Sequence, residues 1–287
     1  MRDKLIREKV SFRDVSLTKT EYHSRLEKQG AFMKVINVQV NGLEAAVANG
    51  FYDWLAEHDA DVVCVQNLKA KEYQLSDAVI YPENFNAYFF DGEPDNYSGV
   101  AILTRDMPKA IMTGLAFESC DRFGRYIQAD FDQVSIGSIL FPTKDEHNTL
   151  EDKLAFQQQF IEHLKKTKRK RREFIFAGFF GVAHKSVDIA DWKAAQNKPG
   201  FLPEEQAFMD QITGPLEFVD AFREANFGEN QFTWWPDSES ARRNQNGWRL
   251  DYQICTPELR QFVVDAKILR DQVWDQHGAT LIEYEID

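Results

Sequence analysis

Seven cations stand in eight consecutive positions, Lys165-Lys166-Thr167-Lys168-Arg169-Lys170-Arg171-Arg172, and Glu173 follows them. Arginine forks take phosphate or carboxylate through paired hydrogen bonds. The run therefore suits a phosphate or an acidic partner face, with Glu173 adding an opposite charge for register. A second reading stands beside this one: cations at a helix C-terminus favour the helix dipole and can be merely solvated. Seven charges exceed what a helix end needs, which favours a binding patch exposed at a helix end or loop. Trp192, after Asp188-Ile189-Ala190-Asp191, falls in a predicted loop, where a Trp either anchors an interface or caps a core. His184 has no second histidine at metal-ligand spacing and reads as a packed side chain. Cys64, Cys120 and Cys255 lie far apart without a C-x-x-C pair, which argues against a disulfide framework or a zinc site and fits a reducing compartment.

The whole chain opposes that patch in charge. It has 287 residues, with 34 Lys+Arg against 46 Asp+Glu and a net charge of −12. Proteins that grip nucleic acid usually show a basic surface, so any such site here must be local. Hydrophobic residues at 43% and charged residues at 28% are those of a soluble globular protein. No apolar run is long enough for a membrane-spanning helix, and Met1-Arg2-Asp3-Lys4 opens no signal core. A cytoplasmic protein without a membrane partner is expected.

Residues 1–32 are rich in charge and poor in large apolar side chains, and read as a weakly structured N-terminal extension before a domain over 33–287. Residues 33–42 read as a buried strand closing on an Asn-Gly turn. Helical spacing covers 43–58, and 61–67 is a second apolar strand, giving a β-α-β opening. Alternating short strands are predicted near 87–91, 98–104, 111–117, 125–131 and 134–141. A helix is predicted over 150–164, a strand over 173–178 and a helix after Pro203. Further strands are expected at 231–235, 247–256 and 280–286. Helices alternating with mixed strands imply a layered α/β sandwich.

The order of segments from residue 33 onward resembles the exonuclease III-like branch of the endonuclease/exonuclease/phosphatase superfamily. The resemblance is carried by Val40-Asn41-Gly42, Asp61 to Gln66, Ser98 to Ile102, Gly124 to Phe131, Ala183-His184-Lys185, Gly200 to Glu205, Thr233-Trp234-Trp235 and Gly247 to Tyr252. It implies a four-layer sandwich of two mixed, mainly antiparallel β-sheets flanked by helices, of the exonuclease III/DNase I-like kind, and cleavage of phosphodiesters with a divalent metal. A hard metal wants carboxylate oxygens, and an anionic base must activate water. At the positions where the family keeps these groups the chain has Gln39 for the supporting Asn, Asn67 for the metal-binding Glu and Leu140 for a Tyr. Phe179 stands for the water-activating Asp, Gly181 for the phosphate-orienting Asn and Gln276 for the Asp beside the final His. Asp251 and His277 are retained, and read either as a buried structural pair or as the remnant of a phosphate site. No metal and no cofactor are expected, and the chain is expected not to be an enzyme.

Residues 121–131, 168–173, 231–238 and Gln276-His277 look most like a non-catalytic group of this branch that acts in carbon catabolite repression. That resemblance implies post-transcriptional repression of A-rich mRNAs in a ternary complex with the RNA chaperone Hfq, weak or no RNA binding alone, and self-association within the assembly. The expected partner surface is Lys168, Arg169, Lys170, Arg171, Arg172, Glu173 and Trp192. The alternatives are a residual metal-dependent phosphodiesterase using His277 and Asp251, and a DNA-binding scaffold on the same fold.

Overall fold

The computed structural model describes residues 32–286 except 94–96, 146 and 237. The expected extension thus lies, apart from its last residue, outside the described residues. In chain order the elements are β1 (Met33–Gln39), α1 (Leu43–Ala48), α2 (Phe51–Ala56), β2 (Val62–Gln66), β3 (Asn86–Phe90), β4 (Val100–Thr104), β5 (Ala110–Thr113), β6 (Tyr126–Asp130), β7 (Val134–Leu140), α3 (Leu150–Thr167), β8 (Glu173–Phe179), α4 (Pro203–Thr213), β9 (Val219–Asp220), β10 (Asp251–Cys255), β11 (Val263–Val273) and β12 (Gly278–Tyr284), with shorter helical turns between them.

The strands form two six-stranded sheets, ordered β11-β12-β1-β2-β4-β3 and β5-β6-β7-β8-β10-β9. Each sheet holds one parallel pair, β1 with β2 and β7 with β8, among antiparallel neighbours. The sheets pack face to face: Val62, Cys64 and Ile102 of the first meet Ile136, Ile175 and Ala177 of the second in one buried cluster. The outer face of the first sheet buries Ile36, Val38 and Val63 against Leu43, Phe51 and Leu55 of α1 and α2. The outer face of the second buries Phe174 and Phe176 against Phe156, Phe160 and Leu164 of α3 and Phe208 of α4. Successive side chains of a strand point to opposite faces, so β8 gives Phe174 and Phe176 to the helices and Ile175, Ala177 and Phe179 to the other sheet. The result is the expected four layers, with apolar groups on both faces of each sheet.

Two local expectations are corrected, and one strand lies where none is expected. The helix over 43–58 is broken at Asn49-Gly50, where Gly50 takes φ 91 in the left-handed region. Residues 231–235 form no strand; Trp234 makes only isolated bridges to Trp248 and His277. Residues 263–273 form an edge strand with two register shifts. Its charged residues, Asp265, Lys267, Arg270 and Asp271, hide the strand pattern and suit an edge exposed to solvent.

Candidate functional site

The carboxyl ends of the central parallel strands open onto one crevice. Gln39 ends β1, Asn67 follows β2, Leu140 ends β7 and Phe179 ends β8. Asp251 starts β10 directly opposite Phe179 in the antiparallel register, and His277 precedes β12, which runs antiparallel to β1. Residues far apart in sequence therefore converge because parallel strands end, and antiparallel strands begin, at the same edge of the sandwich. Gln39, Asn67, Leu140 and Phe179 line one cavity of about 360 Å³. Gln39, Phe179, Gly181 and His277 line an adjoining one of about 610 Å³.

At the centre, His277 Nδ1 lies 2.8 Å from Asp251 Oδ2. Its Nε2 lies 3.3 Å from the Gln39 amide nitrogen. With the Asp251 carboxylate accepting from Nδ1–H, the free lone pair on Nε2 accepts from Gln39. The Phe179 ring stands edge-on to the imidazole with centroids 5.4 Å apart. Gly181 has φ 67, and a Cβ there would meet the Phe179 ring at 3.0 Å, so the aromatic ring and the glycine fit each other. Gln276 lies beside this group, and its backbone carbonyl accepts from Trp235 N at 3.1 Å. Trp235 is buried and Trp234 half-buried, one in and one out although without a strand.

These residues do not fit a divalent metal. Among the described residues no three His, Cys, Asp or Glu side chains gather as a metal-holding group. Asn67 and Gln39 bring neutral amides and Phe179 a hydrocarbon ring, where a hard cation needs several anionic oxygens. Asp251 spends one oxygen on His277, and its Oδ1 has no hydrogen-bond partner. A lone His–Asp pair can orient an imidazole, but it holds no hard ion.

The cleft wall is held by a buried ionic network. Asp188 Oδ1 accepts from Arg249 Nε at 2.8 Å and from Arg223 Nη2 at 2.7 Å, and Arg249 Nη2 reaches Asp220 Oδ2 at 2.7 Å. Burial alone would raise the Asp188 carboxyl, but Arg249 and Arg223 outweigh it and hold the group well below the ordinary carboxylate range. The Arg249 guanidinium lies 4.3 Å from the Tyr252 ring centroid. This cluster ties the loop through Asp188 to the chain beside Trp248, a wall of the larger cavity.

The basic run sits elsewhere. It precedes β8, whereas the cleft lies beyond the other end of that strand, seven residues or about 20 Å away. Lys168, Arg169, Lys170 and Arg171 are exposed as expected. Lys168 pairs with Glu217, and Lys170 Nζ lies 5.1 Å from the Phe174 ring centroid. Arg172 corrects the expectation of an exposed run. Its side chain donates to Ser135 Oγ and to the carbonyls of Phe131, Asp132 and Val134, closing the turn between β6 and β7. Glu173 is half-buried and accepts from the Thr256 hydroxyl, so its carboxylate is engaged within the fold. Trp192 is 38% exposed, with Lys193 Nζ 5.8 Å from its ring centroid, and it borders a separate hollow with Phe201 and Pro203. His184 packs against Asp210 at 2.8 Å, and all three cysteines are free and buried.

His163 on α3 reports the field of the run. Burial first, and then Lys170 and Lys166, push it down to about 4. Unfolded, it takes its proton near pH 6.5. Between those values the unfolded chain binds a proton that the folded chain refuses, so stability falls as pH drops from about 6.5 to 4. This group is expected to remove about 2 kcal/mol by pH 5. His163→Phe, whose ring can pack on Phe160 and Phe176, should flatten that decline in urea titrations at pH 7 and pH 5.

Sequence reasoning missed three side chains around the cleft. Arg125 is 2% exposed with no partner at Nε, and Trp248 and Lys198 line the larger cavity. Arg125 lies in the Gly-Arg-Tyr stretch that carried the resemblance, but nothing in its spacing marked it as buried.

Two mixed sheets packed face to face, with the site at the carboxyl ends of their parallel strands, define a sandwich of the nuclease and phosphatase class. The chain belongs to the endonuclease/exonuclease/phosphatase family, whose pattern matches residues 36–272. It is 29% identical over 250 residues to an exodeoxyribonuclease of Bacillus subtilis, covering 85% of this chain and 96% of that one. It is also 29% identical over 253 residues to the DNA repair nuclease APEX1 of Danio rerio, covering 87% and 81%. An AP endonuclease from Archaeoglobus fulgidus shares the fold with a TM-score of 0.79 at 22% identity, covering 88% of this chain and 100% of that chain. Among the described residues no helix is long and apolar enough to cross a membrane.

Proposed function

We propose that this chain is a non-catalytic member of its family that represses translation of A-rich mRNAs together with the RNA chaperone Hfq, as does the catabolite repression control protein that it resembles. The observation that carries this reading is the centre of the cleft: Phe179, Asn67 and Gln39 converge where cleavage needs carboxylates. On this reading the chain contributes through contact surfaces, with Lys168, Arg169, Arg171 and Trp192 exposed for a partner. Arg172 and Glu173 act behind that surface by fixing its backbone. Hfq supplies most of the RNA affinity, since a net charge of −12 repels phosphate beyond local patches.

The second reading is a metal-dependent nuclease, the activity named for the Bacillus and zebrafish relatives. The Asp251–His277 pair favours it. The two readings part in one assay. Purified protein with Mg²⁺ or Mn²⁺ and a labelled abasic duplex is expected to leave the strand intact. Cutting that survives purification and disappears in His277→Ala would sink the non-catalytic reading. In gel shifts, the protein alone should bind A-rich RNA weakly, and addition of Hfq should give a slower, more stable complex.

A further inference from the structure

We propose that the degenerate cleft is a base pocket, which takes one unpaired nucleotide of a single-stranded RNA with its base inward. This rests on the reading of the chain as an RNA-associated protein and names a contact surface distinct from the basic run.

Size and lining carry the argument. The larger cavity, about 610 Å³, is within the range of small-molecule sites and adjoins the smaller one through Gln39, Thr143 and Phe179. Its walls include Phe179, Leu250 and two half-buried tryptophans, Trp234 and Trp248, whose rings meet edge to face at 6.2 Å. Unpaired bases are held by stacking on such rings, while their polar edges seek hydrogen bonds.

Polar groups of the right kind stand at the junction. Gln39 Oε1 has no hydrogen-bond partner, and Asn67 lines the adjoining cavity. Carboxamides offer a donor and an acceptor side by side, the pattern that pairs with an adenine edge. Glu205, the buried carboxylate in the larger cavity's lining, is already engaged by Lys153, so a neutral base meets no free charge there.

The rim suits a phosphate backbone. Lys144 and Lys198 are exposed at the larger cavity, and Lys69 is exposed at the smaller. Buried Arg125 lines the smaller cavity, over the Phe123 ring at 5.0 Å, and among the described residues its guanidinium donates to the Leu140 carbonyl and Asn148 Oδ1 and to no carboxylate. Burial lowers its pKa, so an incoming anion would relieve a charge that solvent does not reach. Asp275 and Asp145 also line the two cavities, and the lysines outnumber them.

The experiment uses the full chain without Hfq. An A-rich oligoribonucleotide carrying 2-aminopurine at one adenine is titrated, because that fluorophore responds to stacking on aromatic rings. A saturable change is expected, at least tenfold weaker in Phe179→Asp, which places a charge against the base. Lys144→Glu with Lys198→Glu, both at the surface, should weaken it similarly without disturbing the fold. Lys267→Glu, on the exposed edge strand β11, should leave it unchanged. Competition by AMP at concentrations comparable to the oligonucleotide would keep the base in the pocket but make a free mononucleotide its source. No fluorescence change, or one undiminished in both cleft variants, overturns the proposal. That failure is distinct from failure of the broader reading, which is decided by strand cleavage and by assembly with Hfq.

Discussion

Arg249→Met is expected to destabilise the fold by about 3–5 kcal/mol, the cost of leaving buried carboxylates without their partner. Arg249 is 1% exposed and bridges Asp188 and Asp220; without it Asp220 loses its buried ionic partner and Asp188 keeps only Arg223. Methionine fills much of the same volume, so the loss reports charge rather than a cavity. The pH dependence has a definite sign. The folded Asp188 carboxyl lies below its unfolded value, so its contribution is present above about pH 4 and is lost as pH falls through the folded value. Urea unfolding at pH 7 should show the full loss, and the acid limb of the variant should be shallower. A loss below 1 kcal/mol at pH 7 would mean that the network is not a structural clasp. Because the network anchors the loop beside Trp248, the variant should also loosen the cleft.

Reversing the charge of the basic run is expected to give two different results at adjacent residues. Arg171→Glu changes an exposed side chain, so its melting temperature should match the parent's. Assembly with Hfq and RNA should weaken by several kcal/mol at modest salt if this face meets phosphate or an acidic partner. Arg172→Glu should instead lower the melting temperature, because four oxygen atoms around the β6–β7 turn lose a charged donor. Hydrogen bonds to charged groups contribute about 1.5–3 kcal/mol each, so a loss of at least ~2 kcal/mol is expected. Melting curves and gel shifts on both variants separate the roles. Unchanged assembly with Arg171→Glu would remove the run as an interface and turn attention to Trp192.

The contrast between those neighbours shows where the sequence was readable. Hydrophobic period revealed β1, β2, α3 and β8, since each buries one or both faces in a continuous apolar layer. It did not reveal β11, an edge strand whose charged residues face solvent, nor the break at Gly50, where backbone conformation rather than side-chain pattern decides. For the site, the convergence of Gln39, Asn67 and Phe179 on one cleft was legible because the resemblance assigned those positions to a common place in the fold. Arg125 and Arg172 were not legible. An arginine in sequence looks the same whether it points to water or satisfies carbonyls from a distant turn, and only the tertiary partners distinguish the cases.

The order of strands also sets a timetable for the chain on the ribosome. β1 precedes every other described strand in the chain, yet it lies inside its sheet with β12 as one neighbour, pairing Met33 with Tyr284. Until β12 emerges, β1 has only β2 beside it in the sheet and shows an open edge to whatever else is in the vicinity. The β5 to β8 segment can pair within itself much earlier, through contacts between strands close in sequence. Such a chain folds with one sheet waiting for its last strand, a long-range closure that is slow and exposed to mispairing. The imidazole of the cleft arrives with that strand. The floor of the cleft is therefore laid down early, while His277 is added last.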